Sequence, residues 1–380
     1  MRVTWSPVVV GFGRLGDTVM LQPLLRKLAD RYGQPCRLLS LGGWPPVLLS
    51  AQPEVGVPIP LKTQYGPLWL RPGCWKAILA LHRLRDCPLY IAEPAFRTRT
   101  KLRPMLKLAG VPAENCQFIE DLPMHDDEHW LDWLSRFSNT APTAFRERFE
   151  CSAAEPCAAP VLRVSQAERI DCDGWLRSRG WAQRPLLVLQ PANKRTMRWN
   201  GVRAAADDVK SWPAERWSAL ARAMLGSMPN AQLLFCGSPA ESAYLHQITS
   251  MIRPATSAID MAALPLGRLK ALLSIAHSLV SVDTGPAHLA AAVGCPVVVL
   301  FGGRSPLMWA PRSGRGSAVS VIGGLPDVAR VEQIGLAQVF AAWRQLRPHT
   351  GNPAEVDTCA AANPGSAIVG DPEREFPRVV

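Results

Sequence analysis

The chain has 380 residues, enough for two domains, and 48% of them are hydrophobic, enough to fill real cores. Its formal charge is +11, carried almost wholly by the first third: residues 1–119 hold 16 Lys and Arg against 6 Asp and Glu, and the rest hold 26 against 25. That third should face an anionic partner, whether nucleic acid, an anionic membrane surface or a phosphorylated or acidic glycan, unless the basic surface serves solubility alone.

The ten Cys form no C-x-x-C pair and no Cys/His cluster at zinc spacing. Several of them (Cys36, Cys236, Cys295) sit in or beside apolar runs, where a reduced Cys acts as a small core residue. The start, "MRVTWSPVVVGFG", turns glycine-rich too early for a secretory leader. No apolar run approaches the roughly 20 residues of a membrane span. A cytosolic chain is expected.

In chain order, strands are predicted at 8–12, 37–41, 89–93, 186–190, 232–237, 279–283 and 297–302. Helices are predicted near 17–32, 75–86, 127–137, 165–179, 213–227, 239–252, 266–276, 286–293 and 331–346. Apolar strands alternating with helices predict parallel sheets covered on both faces. The alternation breaks around 138–184, in a stretch rich in Ala, Pro and Ser. Two α/β domains are therefore expected, 1–165 and 166–330, followed by a helix at 331–347. Residues 348–380 have no period and are expected to form a flexible tail.

The first strand runs into Gly11, Gly13 and Gly16, spaced G-x-G-x-x-G. A dinucleotide site would place an acid on the ribose about 20 residues later. Residues 33–44 hold no Asp or Glu, although Arg37 would suit a 2′-phosphate. Asp17, just after the third glycine, would repel a pyrophosphate. A carboxylate at a helix start is held ionised by the helix dipole, which suits a base acting on a hydroxyl. A capping or first-turn acid is the equally open alternative.

The stretch "LVSVDTGPAHLAAAVGCPVVVLFG" (279–302) is more specific. A strand ends at Asp283, Thr284 is a natural N-cap, Gly285 allows a tight turn and Pro286 opens a helix. The amides of Gly285, Ala287 and His288 would make an anion site. His288 lies within reach of a phosphate oxygen, or is a satisfied interior histidine. In "KSWPAERW", Lys210 precedes a Pro-started helix and is either a diphosphate-neutralising cation or a solvated lysine. In "CGSPAE", Glu241 either grips ribose hydroxyls or closes a capping box with Ser238.

Together "GRLGDTVMLQPLLRKLADRYG", "KSWPAERW", "CGSPAE" and "SVDTGPAHLAAAVGCPVVVLFGG" resemble glycosyltransferase family nine, the ADP-heptose heptosyltransferases of lipopolysaccharide, over about residues 8–312. The resemblance implies the GT-B architecture: two Rossmann-like α/β domains facing across a cleft, acceptor on the first, donor on the second, with the C-terminal helix crossing back to the first. It implies an inverting, metal-independent transfer from a nucleotide-sugar donor, with no cofactor. Asp17 would be the base, aimed by Gly13 and Gly16, and Lys210 would meet the diphosphate. Asp283, Thr284, Gly285, His288 and Asn193 would contact the donor, and Glu241 its ribose.

The acceptor would be an anionic glycolipid or oligosaccharide. Lys62, Arg97, Arg99, Lys101 and Arg103 could hold its phosphates and acidic sugars, or form a solvated basic face. Peripheral contact with an anionic membrane surface is expected, without insertion. A nucleic-acid partner is not, because the basic stretch lacks interleaved aromatics.

One departure from the family pattern is the stretch 192–209 between the strand 186–190 and Lys210. It adds Lys194, Arg195, Arg198 and Arg203, of which Lys194 or Arg198 could meet the diphosphate in place of Lys210. Competing readings are an NAD(P)-dependent oxidoreductase built on the Gly11/Gly13/Gly16 loop and a non-catalytic nucleotide- or glycan-binding protein of the same fold.

Overall fold

The computed structural model describes residues 5–61, 72–93, 95–147, 159–198, 201–203, 207–252 and 258–346. Lys62 and the expected tail at 348–380 lie outside them.

Two parallel sheets form the frame. The first takes β1 (Val8–Gly11), β2 (Arg37–Leu41), β3 (Ile59–Leu61), β4 (Leu89–Ile91) and β5 (Cys116–Phe118) in the order β3-β2-β1-β4-β5. The second takes β6 (Leu186–Gln190), β9 (Gln232–Cys236), β10 (Ile259–Ala262), β11 (Ser278–Val282), β12 (Val297–Phe301) and β13 (Val319–Gly323) in the order β10-β9-β6-β11-β12-β13. Between β6 and β9, β7 (Met197–Arg198) and β8 (Gly201–Val202) form a small antiparallel hairpin. In each sheet the strand order reverses beside the first strand, between β1 and β4 and between β6 and β11. In open α/β sheets ligands bind at such switch points, beyond the carboxyl ends of the strands.

The strands divide their side chains between apolar layers with a period of two. Val8 and Val10 point into a layer closed by helices Pro72–Arg83 and Arg103–Leu108, whereas Val9 points the other way. On the second sheet Leu187 and Leu189 face helices Ala214–Ser227 and Leu336–Gln345, and Leu186 and Val188 face away from them. The inner faces of both sheets drain into one shared core, with the helix Gly285–Val293, buried from Ala287 onward, in its middle. Its small residues, Ala287 and Ala290 to Ala292, let it lie close to its neighbours on all sides.

The helix expected to cross back to the first half lies elsewhere. Helix Leu336–Gln345 packs on β12, β13 and helix Ala214–Ser227. Its Val339 and Trp343, four residues apart on one face, are buried in the outer core of the second sheet, and Trp343 Nε1 donates to Ser278 Oγ at 2.9 Å. The apolar face that would have crossed over is used up there.

Among the described cysteines, Cys36, Cys74, Cys172, Cys236 and Cys295 are buried core residues, and Cys87 and Cys116 are half-buried. Burial pushes the Cys36 and Cys295 thiols well up and those of Cys172 and Cys236 up to about 12.

Candidate active site

Both glycine-bearing loops singled out in the sequence end at one place. Helix Leu15–Met20 starts beyond the carboxyl end of β1, and helix Gly285–Val293 starts beyond that of β11. Their first turns touch. A β-carbon on Gly16 would stand 3.0 Å from His288 Cδ2 and 3.4 Å from Gly285 Cα. Asp17, in the third position of its helix, is partly exposed and accepts the Arg14 N–H at 2.7 Å. It is thus a first-turn acid, and it also looks into the junction between the sheets.

His288 is the centre of the charge cluster. Burial pushes its pKa down, while Asp283 and Asp17 pull it up and Lys210 pushes it down further. Asp17 of the first half and Lys210 and Asp283 of the second therefore lie near enough to bias the charge of one imidazole. Lys210 Nζ pairs with the Asp283 carboxylate and donates to the Asp283 carbonyl at 3.0 Å. Asp208 anchors the stretch that precedes Lys210. Buried Asp208 accepts Asn193 Nδ2 at 2.8 Å with one oxygen and the Lys210 N–H at 3.2 Å with the other. Asn193 in turn accepts the Arg195 N–H at 2.8 Å. Lys194 and Arg195 are exposed, and the Arg198 side chain lies outside the described residues.

Two expectations about the second loop need correction. Thr284 occupies the N-cap position, but its hydroxyl makes no capping bond; it reaches back to Val282 O at 3.2 Å and Ser281 Oγ at 3.0 Å. The Ala287 N–H is not aimed at a ligand either. It bonds the Thr284 carbonyl at 3.1 Å, which tightens the first turn.

Glu241 sits beyond the carboxyl end of β9, nearly buried, with Oε2 accepting the Ser238 N–H at 2.6 Å. Burial pushes its pKa up and the Ser238 bonds draw it back. The capping-box geometry is realised, and Oε2 is the oxygen committed to it.

The basic stretch 96–110 does not act as one unit. Arg97 turns inward to Glu93 and the Phe12 carbonyl, both at 3.2 Å. Arg103 pairs with Glu120 at 2.7 Å and lies 4.1 Å over the Phe118 ring. Arg99 is exposed and Lys101 half-buried.

At Gly13 the loop is closed on its own helix, because a β-carbon there would run into Asp17 Cβ. Sequence reasoning missed Asp208 and Glu93. The available signal for Glu93 was an acid at the carboxyl end of an interior apolar strand, a costly place for a charge without a task. Among the described residues no group of three His, Cys, Asp or Glu is arranged to hold a metal ion. No described helix is long and apolar enough to cross a membrane.

The chain is similar to known proteins. Residues 156–336 match the model of glycosyltransferase family 9 (heptosyltransferase). Lipopolysaccharide heptosyltransferase 2 of Escherichia coli K12 is 25% identical over 85% of this chain and 90% of its own length. The structure of E. coli ADP-heptose lipopolysaccharide heptosyltransferase II superposes with a TM-score of 0.66 at 21% identity, covering 89% of this chain and 97% of that one. E. coli heptosyltransferase WaaC, solved with ADP, superposes with a TM-score of 0.58 at 15% identity, covering 88% and 97%. These structural likenesses bear out the GT-B fold expected from the sequence.

Proposed function

From the premise that this chain belongs to glycosyltransferase family 9, we propose that it moves a heptose or related sugar from an ADP-sugar to a hydroxyl of a lipopolysaccharide core or similar glycan. The observation that carries this is that the start of the Asp17 helix packs against Gly285 and His288 of the second loop, where Lys210 pairs with Asp283. A general base and a phosphate-neutralising cation from different sheets meet at one junction, as direct transfer between two bound substrates requires.

Asp17 takes the proton of the acceptor hydroxyl as its oxygen attacks the anomeric carbon. The bond from that carbon to the diphosphate oxygen breaks on the opposite face, so the configuration inverts. The electron pair leaves with ADP, and Lys210 and the Gly285 amide stabilise the charge that develops there. A diphosphate is a good leaving group, so no second carboxylate and no metal are required. Asn193, Thr284 and His288 line the donor side, and Glu241 faces the ribose. The resemblance to a relative solved with ADP supports adenine as the donor base.

The first half carries the acceptor, with Arg99 and Lys101 toward its anionic groups. Its outer helix Pro72–Arg83 exposes Trp75 (48%) and Leu79 (51%) beside exposed Lys76 and Arg83. An apolar stripe flanked by cations suits peripheral contact with an anionic membrane surface on the cytoplasmic side.

The test is calorimetric titration of ADP, ADP-heptose, UDP and NADP, with a transfer assay on the wild type and Asp17→Asn. ADP species should bind both proteins alike, while transfer by Asp17→Asn falls by about 10²–10⁴-fold. NADP binding without ADP-heptose binding, or an active Asp17→Asn variant, would overturn the reading.

A further inference from the structure

Glu93 is an ionisable side chain at the first switch point that the reaction above does not use. It stands just past β4, 3% exposed. Its Oε1 accepts the Phe12 N–H and its Oε2 accepts Arg97 at 3.2 Å. The same Arg97 nitrogen donates to the Phe12 carbonyl at 3.2 Å. Glu93 and Arg97 thus close a ring around Phe12 and take up both of its backbone polar groups. The main-chain ladder between the two strands makes its last bond just before, from Ala92 N to Val10 O at 3.0 Å. The ring carries that pairing onward through side chains. Thr98 Oγ1 fixes the far side by donating to the Glu93 carbonyl at 3.1 Å.

What Phe12 holds is Gly13, and Gly13 packs directly on Asp17 Cβ. The path from Glu93 to the candidate base is therefore short: carboxylate, Phe12 peptide, Gly13, Asp17. An apolar residue at position 93 would serve packing as well. A buried carboxylate is expensive unless its bonds do something a methyl group cannot. Here they fix the one peptide that sets where Asp17 begins.

We propose that Glu93, with Arg97, is a positioning residue: it fixes the Phe12–Gly13 backbone so that Asp17 meets the acceptor hydroxyl in reactive geometry. This rests on Asp17 being the base, and it reassigns Arg97 from the acceptor to the loop.

The experiment compares the full-length wild type with Glu93→Ala, Glu93→Gln, Arg97→Ala and Asp17→Asn. Glu93→Ala should lower kcat by about 10–100-fold, the penalty of a reacting group displaced by around 1 Å. Its affinity for ADP should stay within about twofold, because the donor loop is untouched. Glu93→Gln keeps an acceptor for the Phe12 N–H and should recover most of the loss. Arg97→Ala, at a more exposed position, should reproduce part of it if Glu93→Ala fails to fold. Hydrogen exchange supplies a readout independent of turnover: the amides of residues 12–17 should exchange faster in Glu93→Ala than in the wild type, with the rest of the first sheet unchanged. An inactive Asp17→Asn beside a fully active Glu93→Ala sinks the positioning role alone. An active Asp17→Asn sinks the transferase reading and the positioning role with it, whereas unaltered exchange at 12–17 sinks the ring itself.

Discussion

Gly16 and Gly285 stand face to face, each the place where one half of the molecule leaves no room for a side chain on the other. A β-carbon on Gly285 would lie 2.8 Å from Leu15 Cβ and 3.1 Å from the Gly16 nitrogen. The second of these is backbone, which cannot swing aside. Gly285→Ala should therefore separate the two helix starts at a cost of about 1–3 kcal/mol. It should also reduce transfer by at least about tenfold, since Asp17 and His288 lie on the two helices being forced apart. Gly16→Ala should be milder, because it meets a ring edge of His288 first. Denaturant midpoints and initial rates check this. A Gly285→Ala protein with wild-type midpoint and rate would mean that the junction has slack the static contacts hide.

Lys210 is held by Asp283 at the spot where the donor diphosphate is proposed to sit. A diphosphate would exchange one anionic partner of Lys210 for another, so the lysine is poised without being free. Lys210→Ala should weaken ADP binding by about 10–100-fold, the worth of a charge-assisted hydrogen bond. Lys194→Ala, at an exposed position on the insertion, should change it by less than about threefold. Titration of both variants with ADP decides between the two lysines. A larger loss in Lys194→Ala would move the phosphate cation onto the insertion.

The interior of the fold was legible in the sequence and its edges were not. Strands β1, β2, β4, β6, β9, β11 and β12 were all expected, and all of them lie inside their sheets. Covered on both faces, they had to be written as short apolar runs such as VVVG and VVVLF. Strands β3, β5, β10 and β13 were not foreseen, and they are the four sheet edges. Edge strands need fewer apolar residues and tolerate breakers, as Pro60 in β3 and Asp260 in β10 show. The candidate site followed the same division. Asp17, Asp283 and His288 belong to local signals, a glycine turn and a helix start, and were readable one loop at a time. That the two loops meet, that Asp208 ties Asn193 to the turn before Lys210 and that Glu93 and Arg97 close on Phe12 are pairings between segments apart in the chain. No local pattern encodes them.

His129 joins the halves at a second place, and its protonation should loosen them. It caps helix Trp130–Ser138 by accepting the Leu131 N–H on Nδ1 at 3.1 Å, and its Nε2–H donates to the Ala310 carbonyl at 2.9 Å. Beside it Trp130 stacks on Trp309 with centroids 5.4 Å apart, and Asp132 grips Arg312 with two bonds of 2.8 and 2.9 Å. Burial pushes the His129 pKa down from 6.5 to about 4, with Arg312 and His288 acting the same way and the Ala310 bond and Asp132 opposing. The folded protein thus resists a proton that the unfolded chain accepts. The stabilisation is complete above pH 6.5 and drains away as the pH falls toward 4, by up to about 3 kcal/mol. His288 and His277, also depressed by burial, act in the same direction, so only a difference between proteins isolates His129. His129→Asn keeps a capping oxygen and a donor but cannot titrate. Urea midpoints from pH 4.5 to 7.5 should fall more steeply on acidification for the wild type than for His129→Asn. Parallel curves would assign the acid sensitivity to the other histidines and leave the His129 joint indifferent to pH.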